Sequence, residues 1–176
     1  KQFFGFLEAG GNFIDTANRY TEGTSERFLG DFITESGRRE DLVLATKYAL
    51  VTHDRGLNLA GNHRKNMIQS VEGSLKRLKT DLIQQGKIFY IAISDTPAWI
   101  VSRANTIAEL RGWNAFIGMQ LEYSLLQRTG ERDLIPMANA FDMGIIACAP
   151  IAGGALTGKY LQQNDHAKRL QPNTAT

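Results

Sequence analysis

A chain of 176 residues, 43% hydrophobic and 22% charged, with a single cysteine, has the composition of one ordinary soluble globular domain large enough to bury a core. The lone Cys148 excludes a disulfide framework and a cysteine-rich zinc site and points to a reducing, cytoplasmic compartment; the absence of an 18-residue apolar span or a signal peptide argues against membrane insertion. Its 20 basic and 18 acidic residues are dispersed along the chain, so the net charge of +2 gives no footprint for nucleic acid.

Short apolar runs alternate with helix-period segments, and the runs are nearly continuous, as in strands buried on both faces of a parallel sheet. KQFFGFLEAGG places Phe3, Phe6 and Leu7 on one helical stripe and stops at Gly10 and Gly11. A strand is expected over NFIDTA (12–17). GTSERFLGDFITESG then reads as a helix capped by Thr24 or Ser25, with Phe28, Leu29, Phe32 and Ile33 inward and Gly37 at its end. LVLATKY (42–48) is the next strand. Beyond a polar loop, Asn62 is a cap, and Met67, Val71, Leu75, Leu78 and Leu82 keep one face as far as Gln85, which predicts a single helix of about 22 residues.

The strand KIFYIAIS (87–94) leads to Thr96 and Pro97 at the start of a helix with Ile100, Ala104, Ile107 and Leu110 inward and Gly112 as its stop. A strand over 115–124, a helix from about Glu131 to Phe141 and a strand over 143–151 bring the strand count to five. This βαβα order implies an α/β fold with a parallel sheet and right-handed crossovers, of barrel or doubly wound type. One domain over 1–161 is expected, followed by a polar tail over 162–176. The chain opens on Lys1 rather than Met, which reads as a processed or cut boundary.

Taken as bare residues, Asp15 and Lys47 at strand ends form either an ion pair of the scaffold or part of a site, and Tyr20 is an aromatic of the intervening loop. Ser94 and Asp95 either belong to a site or cap the helix beginning at Pro97. Cys148 has no His or Asp pattern beside it and reads as a small buried hydrophobe, and metal-ligand spacing is absent. Gly153 and Gly154 read as a turn.

NFIDTANRYTEGTSE, LVLATKY, GKIFYIAISD, MQLEYSLL and APIAGGALTGKY, in this order from about residue 3 to about residue 161, resemble the aldo-keto reductases. The likeness is to the branch that includes bacterial reductases and potassium-channel β subunits. It implies a TIM-barrel type fold that reduces aldehydes and ketones with NADP(H), of about 250 residues when whole. It also implies that the family's first strand precedes Lys1 and that its last strand and adenosine-phosphate segment follow Tyr160. Between Asp81 and Leu82, which are joined directly, a βα unit on the order of 25 residues is missing. An incomplete barrel of about five strands is expected, either open or completed by association, hence a homo-oligomer.

By the same resemblance Tyr20 is the proton donor, Lys47 the cation that eases its proton loss, and Asp15 the carboxylate that holds Lys47. The family's fourth member, a histidine, would lie on the missing strand; none of His53, His63 and His166 matches its motif. Ser94, Asp95 and Gln120 fall where the family holds the nicotinamide carboxamide, although Asp95 stands in place of the usual amide. Cys148, Ala149, Pro150 and Ile151 replace an aromatic-Ser-Pro-Leu stretch, so the ring that stacks on the nicotinamide is lost. Two functions follow: an NADP(H)-dependent reductase of small carbonyl substrates, or a non-catalytic, self-associating remnant of that fold.

Overall fold

The computed structural model describes residues 1–51, 59–80 and 90–160. They belong to two units, Lys1–Ile88 and Phe89–Thr176. In the first, helix α1 (Gln2–Glu8) ends where Gly10 turns to φ 82°, and the chain enters β1 (Phe13–Asp15). Helix α2 (Thr24–Ser36), strand β2 (Val43–Ala45) and helix α3 (Arg64–Leu78) follow. The two strands are parallel, with Phe13 opposite Val43 and Asp15 opposite Ala45. Leu7, Ile33 and Leu42 form the core, packed round by Phe3, Ile14, Leu29 and Leu44, so α1 and α2 seal one side of the strand pair.

Helices α2 and α3 meet closely because Gly30 stands at their contact. A Cβ there would strike the Arg77 carbonyl and lie 2.9 Å from the Leu78 backbone. One turn earlier Glu26, with no solvent exposure, accepts hydrogen bonds from Arg77 Nε and Thr46 Oγ1, each at 2.6 Å. The buried residues of α2 are Glu26, Gly30 and Ile33; of the expected inward set Ile33 is buried and Leu29 packs against the core, whereas Glu26 and Gly30 were not expected there and Phe28 faces out. Phe28 is 58% exposed and stacks along the outer face on Phe32 at 6.4 Å.

Both helix starts differ from expectation. Gly23, at φ 80°, occupies the cap of α2; Thr24 instead accepts from Arg27, and the Ser25 hydroxyl pairs with Thr16 Oγ1 at 2.9 Å. His63 rather than Asn62 caps α3, its Nδ1 accepting the Asn66 N–H. The single helix expected to Gln85 ends at Leu78. Lys79 turns left-handed at φ 52°, and the Thr80 N–H closes onto the Leu75 carbonyl at 3.1 Å, which satisfies the terminal carbonyls and stops the helix. The expected junction at Asp81 and Leu82 lies outside the described residues, as does the polar tail.

The second unit contains β3 (Ala92–Ser94), α4 (Ala98–Arg111), β4 (Gly118–Glu122), α5 (Leu134–Ala140) and β5 (Gly144–Cys148). Its strands run parallel in the order β3-β4-β5. Val101, Met119, Leu121, Met137, Ala138 and Met143 make the core. Only β4, with a neighbour on each side, buries most of its residues; β1, β2, β3 and β5 are sheet edges among the described residues and are half-buried or exposed throughout. Burial on both faces therefore holds for one strand of five. Cys148, expected to be buried, is exposed at the end of β5.

On α4 the buried stripe is Val101, Asn105 and Ala108, one position on from the expected Ile100, Ala104, Ile107 and Leu110; Leu110 is 79% exposed. A polar residue sets this rotation. Asn105 brackets the Phe116 backbone, accepting its N–H at 2.9 Å and donating to its carbonyl at 3.1 Å, and so faces the sheet connection instead of solvent.

Two stability outcomes follow from the contact of α2 with α3. Gly30→Ala gains about 1 kcal/mol of helix propensity but must force the helices apart, for a net loss of about 1–3 kcal/mol, seen as a lower urea midpoint. Arg77→Leu strands the Glu26 carboxylate in the interior and is expected to cost about 3–5 kcal/mol in the same measurement.

Candidate functional site

Asp15 ends β1, and Lys47 lies two residues beyond β2, so the parallel register carries both to the same ends of neighbouring strands. Backbone pairing continues past the strands: the Thr16 N–H donates to the Ala45 carbonyl and the Asn18 N–H to that of Lys47. The Lys47 ammonium donates to both oxygens of Asp15 at 2.6 Å and to the Thr16 carbonyl at 2.9 Å. It also lies 5.3 Å from the centre of the Tyr20 ring, within cation–π range. The Asp15 and Lys47 side chains are about a quarter exposed, and Tyr20 is 48% exposed. Thus the structure brings together the three residues that the sequence singled out in this half, on a floor of buried Thr16, Ala17 and Asn18.

Sequence reasoning missed the residues behind this group. Ser25 and Glu26, adjacent in the first turn of α2, hold Thr16 and Thr46, which follow Asp15 and precede Lys47. The usable signal was the spacing of Glu26, Gly30 and Ile33, a helical stripe in which a charge shares a face with a glycine.

In the second unit Ser94 ends β3 and pairs in register with Gln120 of β4. Asp95 follows in the left-handed region at φ 45°. Asp95 and Gln120 line a cavity of about 390 Å³, together with Thr96, Gln127, Thr129 and Asp133. Neither Ser94 nor Asp95 caps α4, which has no side-chain cap; the Thr96 hydroxyl donates to the Ser94 carbonyl at 2.9 Å.

The far wall of this cavity is a segment tied by its own side chains. Ser124 Oγ accepts from the backbone N–H groups of Leu126 and Gln127, and Gln127 Oε1 accepts from the Thr129 hydroxyl at 2.7 Å. Glu131 accepts from Tyr123 Oη at 2.7 Å and from Arg128 Nε and Nη2 at 2.9 and 3.1 Å. The hydrogen bonds from Arg128, then that from Tyr123, hold the Glu131 carboxyl below the usual carboxylate range, and the bond to Glu131 raises the Tyr123 hydroxyl.

Among the described residues, six of the eight non-glycine residues with positive φ follow strands, Thr21 and Glu22 after β1, Ala49 after β2, Asp95 after β3, and Ala149 and Ala152 after β5; Lys79 follows α3 and Asp142 precedes β5. Each such residue costs of order 1–3 kcal/mol and persists only where its surroundings impose it, which happens most at functional sites. Gly153 and Gly154 lie in the same turn as Ala152, at φ 64° and 98°. Among the described residues no cluster of three metal-ligating side chains occurs, and no helix is long and apolar enough to cross a membrane. His53 and His166 lie outside them.

The family model described as the Aldo/keto reductase family matches the chain over residues 4–84 and again over 80–175. An aryl-alcohol dehydrogenase [NADP(+)] of Phanerodontia chrysosporium is 36% identical over 185 residues, covering 86% of this chain and 48% of that protein. Norsolorinic acid reductase B of Dothistroma septosporum is 34% identical, covering 93% of this chain and 50% of its own length, and its namesake in Aspergillus parasiticus is 35% identical, covering 97% and 51%. The chain spans about half the length of the curated relatives it matches. The first alignment is longer than the whole chain while covering only part of it, so the relative carries residues inside the matched stretch that are absent here. The two family matches meet at 80–84, around the expected junction of Asp81 with Leu82.

The wall segment has a pH signature. Because the Glu131 carboxyl is lowered in the folded chain, its stabilising contribution is present above the ordinary carboxylate range and is lost as pH falls through the lowered value. At the alkaline end, Glu131→Gln is expected to bring the Tyr123 phenol back down toward its ordinary value of 10.0, read as earlier phenolate absorbance in an ultraviolet titration. An unchanged titration curve would show that Tyr123 and Glu131 are not hydrogen-bonded in solution.

Proposed function

The chain belongs to the aldo/keto reductase family, whose members are (β/α)8 barrels, and from this membership we propose that it is part of a cytoplasmic, NADP(H)-dependent reductase of small aldehydes or ketones. The observation that carries the reading is the Lys47 ammonium, bonded to both Asp15 oxygens and set against the Tyr20 ring at the ends of neighbouring parallel strands. Reducing a carbonyl requires a proton for the oxygen as negative charge develops there. Tyr20 supplies it from a phenol open to solvent. Lys47 stabilises the phenolate that remains, and Asp15 fixes the ammonium so that it cannot swing into water.

The residues of the second unit fit one end of the cofactor. A carboxamide presents two N–H donors and one acceptor oxygen, and Gln120, Asp95 and Ser94 offer an amide from the middle of β4, a carboxylate just beyond β3 and a hydroxyl at the end of β3, where Ser94 and Gln120 are in register. These three would hold the nicotinamide end. When bound, NADPH supplies the hydride. Ala149, Pro150 and Ile151 beyond β5 offer neither an aromatic ring nor a hydroxyl, so the fit is limited to that end.

A second reading, a non-catalytic and self-associating remnant of the fold, is favoured by the exposed strand edges: only β4 has partners on both sides among the described residues. Unpaired strand edges are templates for association. One series of measurements separates the two readings. The reductase reading expects the chain, with its mass checked at 19.5 kDa, to quench or enhance nicotinamide fluorescence and to reduce an aromatic aldehyde. Tyr20→Phe should then lose about 10²-fold or more in kcat while binding NADPH as before. Full activity in Tyr20→Phe would sink the assignment of Tyr20. Failure to bind NADPH, with a mass above the monomer on gel filtration, would favour the remnant.

A further inference from the structure

We infer that Glu26 is a positioning residue for Lys47, acting through Thr46, and that the neighbouring Ser25 does the same for Asp15 through Thr16. The inference concerns geometry, and its catalytic consequence rests on the proposed reductase reading. Side chains alternate sides along an extended chain, so Asp15 and Lys47 project to one side and Thr16 and Thr46 to the other. The contacts follow that alternation: Thr16 Oγ1 meets Ser25 Oγ at 2.9 Å, and Thr46 Oγ1 donates to Glu26 Oε1 at 2.6 Å. Two consecutive residues of α2 thus hold the residues beside the two halves of one ion pair.

Glu26 is itself immobile. It has no solvent exposure, its second oxygen accepts Arg77 Nε at 2.6 Å, and Arg77 is only 17% exposed. Its carboxylate is satisfied from α3 on one side and from the Lys47 strand on the other. Rotation of the chain at Thr46 would take from the buried Glu26 carboxylate the hydroxyl that Oε1 accepts from. With that rotation blocked, the Lys47 ammonium stays over Asp15 and the Thr16 carbonyl.

The test follows the Lys47 side chain by NMR in the full chain labelled with ¹³C-lysine, the signal being assigned by its loss in Lys47→Gln. Thr46→Val removes the hydroxyl at nearly constant shape and should move the Lys47 signal toward those of exposed lysines, whereas Thr46→Ser should restore it. Ser25→Ala perturbs the other hold and should shift the same signal, which covers the case in which Thr46→Val does not fold. If the wild type reduces a carbonyl, Thr46→Val should also lower kcat about tenfold with KM nearly unchanged, as expected when a reacting group is displaced but binding is not. A Lys47 signal unchanged in every folded variant overturns the inference. A wild type without activity, but with a signal that shifts, retires the reductase reading and leaves the positioning intact.

Discussion

A carboxylate withdrawn entirely from water is tolerated only where other groups take over the hydrogen bonds and charge compensation that water gave it. Glu26 meets that condition through Arg77 and Thr46, and much of the first unit is arranged to let it do so. Arg77 must come within 2.6 Å, which requires α3 to lie against α2. That approach requires a residue without a Cβ at Gly30. Thr46 must face α2, which turns Lys47 to the opposite side of the strand, toward Asp15. Buried ion pairs add little net stability when compared with apolar packing, but an incorrect arrangement is heavily penalised. The pair ties α2 to α3, and the Thr46 hydroxyl ties the segment after β2 to the same carboxylate.

The parallel α/β class and the order of elements were legible from continuous apolar runs and glycine stops, whereas Asp15, Tyr20 and Lys47 were singled out only through the resemblance of their motifs to the family. The faces of the helices were less legible. On α2 the apolar stripe through Phe28 and Phe32 is real, but a salt bridge to a residue 51 positions away claims the inner face instead. On α4 the amide of Asn105 outcompetes Ile107 and Leu110 for the inside because it can satisfy the Phe116 backbone and they cannot. On α3 the apolar periodicity continues past Leu78, yet Lys79 adopts a left-handed conformation and ends the helix. In each case a polar or backbone interaction overrides hydrophobic period, and none of these is visible in a pattern of apolar residues alone.

The burial of strands fails for a different reason. A continuous apolar run such as MGIIACAPI carries the composition of a strand covered on both faces, and β5 has that composition without the cover. Such a run suits the (β/α)8 barrel of the family, in which every strand has a neighbour on both sides. Cys148, exposed at the end of that strand, is one local expression of the mismatch.

The core of the second unit is unusual in material as well as in extent. Three of its six buried residues are Met119, Met137 and Met143, leaving only Val101 β-branched. A thioether side chain with three rotatable bonds fills irregular space without demanding one arrangement of its surroundings, so this core closes around β4 although β3 and β5 beside it are largely uncovered. The same sulfur atoms are chemically soft. Oxidation of Met119 would place a sulfoxide dipole among Val101, Leu121 and Ala138, whose side chains offer it no hydrogen bond, so an oxidant that reached this interior would dismantle the packing that adaptability had preserved.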